Sequence, residues 1–170
     1  MTHTRRRSPR SRVLAPSAAL CVLAVAGCSV GGDRPSVAVP TPSSEAAGYC
    51  AELHEELPET VDDLERSDPS PESELTAGWG DGAIVLRCGV PRPARMDDSQ
   101  AKAVDADGVN WLLEQPGDAG ADDDAHTGPR FTTTYRKAYV EVTLGPEYAH
   151  DITPLSAFAA PVKKTVPDSL

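Results

Sequence analysis

Two short runs carry residue types at spacings that could do chemistry. Ser99 and Lys102 stand three apart in Ser99-Gln100-Ala101-Lys102. On a helix, that spacing sets a hydroxyl one turn from an amine able to take its proton, as a serine nucleophile requires. No Ser-Asp-Asn or Lys-Thr-Gly follows, so the partners of such a site are missing. Asp105, Asp107, Gly108 and Glu114 fit four positions of a calcium loop. The leading carboxylate is replaced by Ala103 and the apolar pairing position by Asn110, so no metal is expected there. His54, His126 and His150 lie far apart in unrelated segments. Gly78-Trp79-Gly80-Asp81-Gly82 lacks the Lys-Ser/Thr ending of a phosphate loop and precedes a strand, so it reads as a turn. No cofactor is expected, and no catalytic residues can be assigned.

The cysteines carry more information. Arg5, Arg6, Arg7, Arg10 and Arg12 precede an apolar run, Val13 to Ala26, which ends in Val25-Ala26-Gly27-Cys28. Positive, apolar and small-small-Cys elements in that order resemble a bacterial lipobox. A helix over this run would span about 21 Å at roughly 1.5 Å per residue, short of a bilayer core of about 30 Å. Residues 1–27 are therefore expected to be a lipoprotein signal peptide. Cys28 would become the lipidated first residue, tying the protein to the extracytoplasmic face of the cell membrane. Cys21 falls in the discarded segment, which leaves Cys50 and Cys88. In an oxidising compartment this even pair reads as a disulfide, the alternative being two buried thiols.

Charge narrows the partners. The chain carries 16 Lys+Arg against 26 Asp+Glu, a net of −10. All five signal-peptide arginines leave without any acidic residue, so the remainder stands at −15. So acidic a surface repels nucleic acid and anionic lipid headgroups, and neither is expected as a partner.

The elements that would position these residues form one domain. Residues 28–47, rich in Pro, Gly and Ser, read as a flexible lipid-anchored tether. Ala46, Cys50, Leu53 and Leu57 recur at helical spacing until Pro58 stops the run. Glu59 to Leu75 reads as a loop. Ala83 to Cys88 is a continuous apolar run, expected as a buried strand that brings Cys88 to the helix. Val109 to Leu113 reads as a short strand carrying Trp111, and residues 115–128 as a disordered acidic loop. Arg130–Tyr135 and Ala138–Leu144 read as a hairpin, with Val140, Val142 and Leu144 dry and Tyr139, Glu141 and Thr143 wet. Pro154 to Val166 could close the chain as a helix interrupted at Pro161. The expected fold is thus α+β over residues 48–166. It has an antiparallel sheet of about four strands, one or two packed helices and a Cys50–Cys88 staple.

Several blocks resemble a known family. They are Tyr49-Cys50 through Leu57-Pro58-Glu59-Thr60-Val61, then Trp79-Gly80-Asp81, and Ala83 through Arg87-Cys88-Gly89-Val90-Pro91-Arg92-Pro93. The likeness continues through Gly108-Val109-Asn110-Trp111, Arg130-Phe131-Thr132-Thr133 and Ala138-Tyr139-Val140-Glu141-Val142. The chain resembles the actinobacterial lipoproteins grouped as domain of unknown function 3515, over about residues 48–160. The resemblance implies a lipid-anchored, disulfide-containing protein and supplies no catalytic residues. The leading expectation is a non-enzymatic binding or scaffolding module for an unidentified envelope protein or cell-wall ligand. The alternative is a cell-wall-directed enzyme. Trp79, Arg87, Arg92 and Trp111 are the expected binding surface, because aromatics with arginine dominate binding hot spots.

Overall fold

The computed structural model describes residues 34–117 and 128–170. The expected signal peptide, Cys28, the first residues of the expected tether and most of the acidic loop lie outside the described residues.

Helix α1 (Ser44–Glu56) begins at Ser43, whose hydroxyl accepts the Ala46 N–H at 3.3 Å. It ends at Leu57, before Pro58. Its inner face buries Cys50, Leu53 and Leu57. A two-stranded hairpin follows, β1 (Thr60–Val61) and β2 (Leu64–Glu65). Its two-residue turn holds Asp62 and Asp63 at φ of 51° and 62°. Then come β3 (Thr76–Trp79), β4 (Ile84–Val90), β5 (Lys102–Ala106), β6 (Val109–Glu114), β7 (Arg130–Thr133) and β8 (Tyr139–Leu144). Helix α2 (Ser156–Thr165) closes the chain and contains Pro161.

The six longer strands form one antiparallel sheet in the order β3-β4-β8-β7-β6-β5. The outer edge of β3 is not bare. Ser67 donates its N–H to the Gly78 carbonyl at 2.8 Å, and Arg66 forms a bridge with Trp79. Both helices contribute to a single core with one face of this sheet. Ile84, Leu86 and Cys88 from β4, Val140, Val142 and Leu144 from β8, Phe131 and Trp111 join Leu53, Phe158 and Val162 there. The Trp79 and Phe158 rings lie 5.1 Å apart, tilted by 55°. Cys50 and Cys88 are disulfide-bonded, with Cα atoms 5.5 Å apart, which fastens α1 to β4.

Several expectations change. The main sheet has six strands, not about four. The residues expected as a loop before Leu75 contain the β1–β2 hairpin, because paired Asp residues in the left-handed region make a hairpin turn without glycine. Gly78 and Trp79, expected in a turn, end strand β3; the turn is confined to Gly80–Gly82. Lys102–Ala106, not anticipated, pairs with β6 around Asp107-Gly108, both at positive φ. That hairpin accounts for the calcium-loop pattern by turn chemistry. Ser99 lies in a turn and Lys102 in β5, so the Ser-x-x-Lys pair shares no helix. Part of the segment expected as a flexible tether is packed instead. Val37 and Pro40 are buried, and the Val37 N–H bonds the Ser70 carbonyl at 2.9 Å.

Candidate functional site

The opposite face of the sheet is charged. Strand alternation that sends Leu86 and Cys88 to the helices turns Arg87 the other way. Arg87 stands in register with Glu141 on β8, and Arg130 on β7 stands in register with Glu114 on β6. Arg87 Nη1 lies 3.2 Å from Glu141 Oε1, and Arg130 Nη1 lies 3.8 Å from Glu141 Oε2. Arg130 Nε is 3.5 Å from Glu114 Oε2. An alternating row, Arg87–Glu141–Arg130–Glu114, thus spans four strands. Both carboxylates are buried, with 6% of Glu141 and 4% of Glu114 exposed. Buried carboxylates at such depth require cationic partners, and the two guanidinium groups provide them.

Gly89 creates the second wall. The β4–β8 register slips between Cys88 and Val90, with Gly89 at φ 84°. Such a bulge inserts one residue and changes which face the following side chain takes. Val90 therefore joins Arg87, although Cys88 between them and the bulge points to the helices. The chain then crosses the charged face, since β4 and β5 are separated by β8, β7 and β6. That distance is roughly 19 Å at about 4.8 Å per strand. The crossing segment, held extended by Pro91 and Pro93 and coiled at Ala94–Asp97, carries Arg92 and Arg95.

Between segment and sheet lies a cleft of about 170 Å³, lined by Arg87, Arg92, Arg95, Arg130, Glu114 and Glu141 and by Val90, Pro91, Pro93 and Ala94. Arg92 grips Asp97 with both Nη atoms, at 2.9 and 2.8 Å. This fork holds the Asp97 carboxyl below its usual range and raises the Arg92 guanidinium above its own. Arg95 lies 3.9 Å from Asp98. The Arg87 Nε, buried, carries no hydrogen bond.

The four residues expected to form one surface divide between the two faces. Arg87 and Arg92 line the cleft, whereas Trp79 and Trp111 are fully buried, at 0% exposure. The correction is physical. In a chain with so few aromatics, the core takes the indoles, and Trp79 donates its ring N–H to the Pro58 carbonyl at 3.0 Å. Glu141, expected on a wet face, is buried beneath the crossing segment's side of the sheet. Arg95, Arg130 and Glu114 join the cleft beyond the residues expected from sequence. Their one sequence signal is that Glu114, Arg130 and Glu141 share strand parity once the pairing is known.

Among the described residues, no group of three or more His, Cys, Asp and Glu is placed to hold a metal ion. No described helix is long and apolar enough to cross a membrane. The sequence pattern of a family described as protein of unknown function (DUF3515) matches residues 13–170. The chain belongs to this DUF3515 family. Comparisons with curated proteins and with solved structures return no match. Within this DUF3515 domain, the cleft gathers four arginines and two glutamates among the described residues.

Proposed function

We propose that this DUF3515 protein is a non-enzymatic binding module, held to the extracytoplasmic face of the cell membrane by a lipid on Cys28, and that the arginine cleft is its binding surface. The observation that carries the reading is the gathering of Arg87, Arg92, Arg95 and Arg130 around one cleft in a chain whose net charge is −10. Arginine offers a rigid fork of donors and is weakly hydrated, so it suits contact surfaces better than lysine does. Glu114 and Glu141 each stand beside a guanidinium, an arrangement that favours a fixed electrostatic framework over a proton-transfer site.

Two measurements test this. Radiolabelled palmitate should enter the wild-type protein in growing cells and fail to enter Cys28→Ser; an unlabelled wild type defeats the anchoring half. A photo-crosslinker placed at position 94, an exposed part of the cleft lining, should give a specific adduct in living cells that one placed at the exposed position 147 does not give. Identical patterns from the two positions defeat the cleft half.

A further inference from the structure

We infer that the cleft binds a dianionic phosphate group, an inference that rests on the binding-module reading and names its ligand class. Two guanidinium groups, from Arg87 and Arg130, rise from the sheet, and two more, from Arg92 and Arg95, come from the crossing segment. A planar carboxylate is satisfied by one fork, whereas a phosphate group presents three acceptor oxygens to donors arriving from different directions. The charge matches as well. Four guanidinium groups and two carboxylates line the cleft, a surplus of two positive charges that a ligand meets once Arg92 and Arg95 turn to it from Asp97 and Asp98. A phosphate monoester carries about −1.5 to −2 at neutral pH. The cleft's volume, about 170 Å³, lies below the range of about 300–1,000 Å³ that encloses drug-sized ligands, so it suits a single small anionic group.

The crossing segment already performs this chemistry on itself. Arg92 holds the Asp97 carboxylate with both arms of its fork, and the Asp97 side chain is 74% exposed. An incoming phosphate must therefore compete with Asp97 for Arg92. That competition separates a binding role from a structural one. If Arg92 serves only to brace the segment, removing either partner weakens the fold and changes no affinity. If the inference holds, removing the arginine weakens phosphate binding and removing the aspartate charge strengthens it.

The experiment is calorimetric titration of the full-length protein held in phosphatidylcholine nanodiscs, free of detergent, at fixed ionic strength. Three phosphate sources are used: inorganic phosphate, glycerol 3-phosphate, and phosphatidylcholine vesicles containing phosphatidic acid. Chloride and acetate serve as comparison anions. The expected result is saturable binding of at least one phosphate source, at least tenfold weaker in Arg92→Gln and severalfold tighter in Asp97→Asn. Both substitutions sit on exposed side chains, so the variants are expected to fold, and a thermal melt of each verifies it. Binding in the soluble arms assigns the group to a solute, and binding in the vesicle arm alone assigns it to a lipid headgroup. No binding in any arm, equal heats from chloride, or an unchanged affinity in Arg92→Gln overturns the inference. A specific adduct from the crosslinker at position 94 would survive such a failure, leaving the binding-module reading intact with a different ligand.

Discussion

Arg87 and Glu141 face each other across β4 and β8, with Nη1 3.2 Å from Oε1, on the side of the sheet that the helices leave uncovered. Glu141 also receives Arg130, so one carboxylate serves two guanidinium groups.

That sharing orders two substitutions. Breaking a buried ion pair by removing one partner costs about 3–5 kcal/mol. Arg87 retains 26% of its side-chain exposure, so Arg87→Gln should fall near the low end, at about 3 kcal/mol. Glu141→Gln should cost more, because it takes a carboxylate from Arg87 and Arg130 at once. Denaturant melts of both variants check the order, and equal losses would show that Arg130 gains nothing from Glu141.

Reducing the Cys50–Cys88 bond should weaken the domain without dissolving its sheet. The bridged residues are 38 apart, and the chain-entropy account gives on the order of 4 kcal/mol for closing such a loop. The same β4 and β8 residues still pair after reduction, so far-ultraviolet circular dichroism should keep its strand signal while the urea midpoint drops. A midpoint indifferent to reductant would remove the staple from the list of stabilising features.

Gly89→Ala should be costly in a particular way. The position has φ 84°, and an added Cβ would meet Pro42 Cβ and Cγ at 2.7 Å. Left-handed backbone alone costs a non-glycine residue about 1–2 kcal/mol, and a proline ring cannot swing aside. Because the bulge launches the segment that bears Arg92, the variant should lose stability and phosphate affinity together. Lost stability with full affinity would mean that the bulge does not aim that segment.

His54 supplies a pH dependence. Burial lowers its pKa first, and Arg66 lowers it further, while Asp68, Glu74 and Glu55 oppose the shift. Arg66 Nη2 sits 2.9 Å from the imidazole Nε2, so the neutral ring is the one that fits. The folded pKa lies below the unfolded value near 6.5, so the unfolded chain binds more protons between the two. Stability is therefore full above pH 6.5 and declines as pH falls through the folded pKa. His54→Gln should flatten the melting temperature between pH 7.5 and 5.5 relative to wild type. A slope that persists undiminished would trace the acid sensitivity to carboxylates.

Local pattern exposed the helices, the apolar strand leading to Cys88 and the hairpin ending at Leu144, because each rests on periodicity or on a proline stop. It also placed Cys50 on the helix face from which the bridge departs. Strand β5 escaped because Lys102-Ala103-Val104-Asp105-Ala106 pairs on one side only and buries little beyond Ala106. The cleft was half legible. Arg87 and Arg92 are legible from their residue type, but Arg130 and Glu114 acquire meaning only from long-range register. The net charge is a coarser guide, since a total of −10 says nothing of where the arginines gather.

The sheet's two edges differ, and the difference governs how copies of the protein can meet. On one side, Arg66 and Ser67 cap β3. On the other, β5 has β6 as its neighbour and, among the described residues, no strand beyond it, which leaves a five-residue rim with one side unpaired there. That rim is short and carries Lys102 and Asp105, the charges by which natural sheets discourage edge-to-edge growth. Crowding on a surface should therefore leave these domains as separate particles, with fibril-like stacking blocked at one edge by covering and at the other by charge.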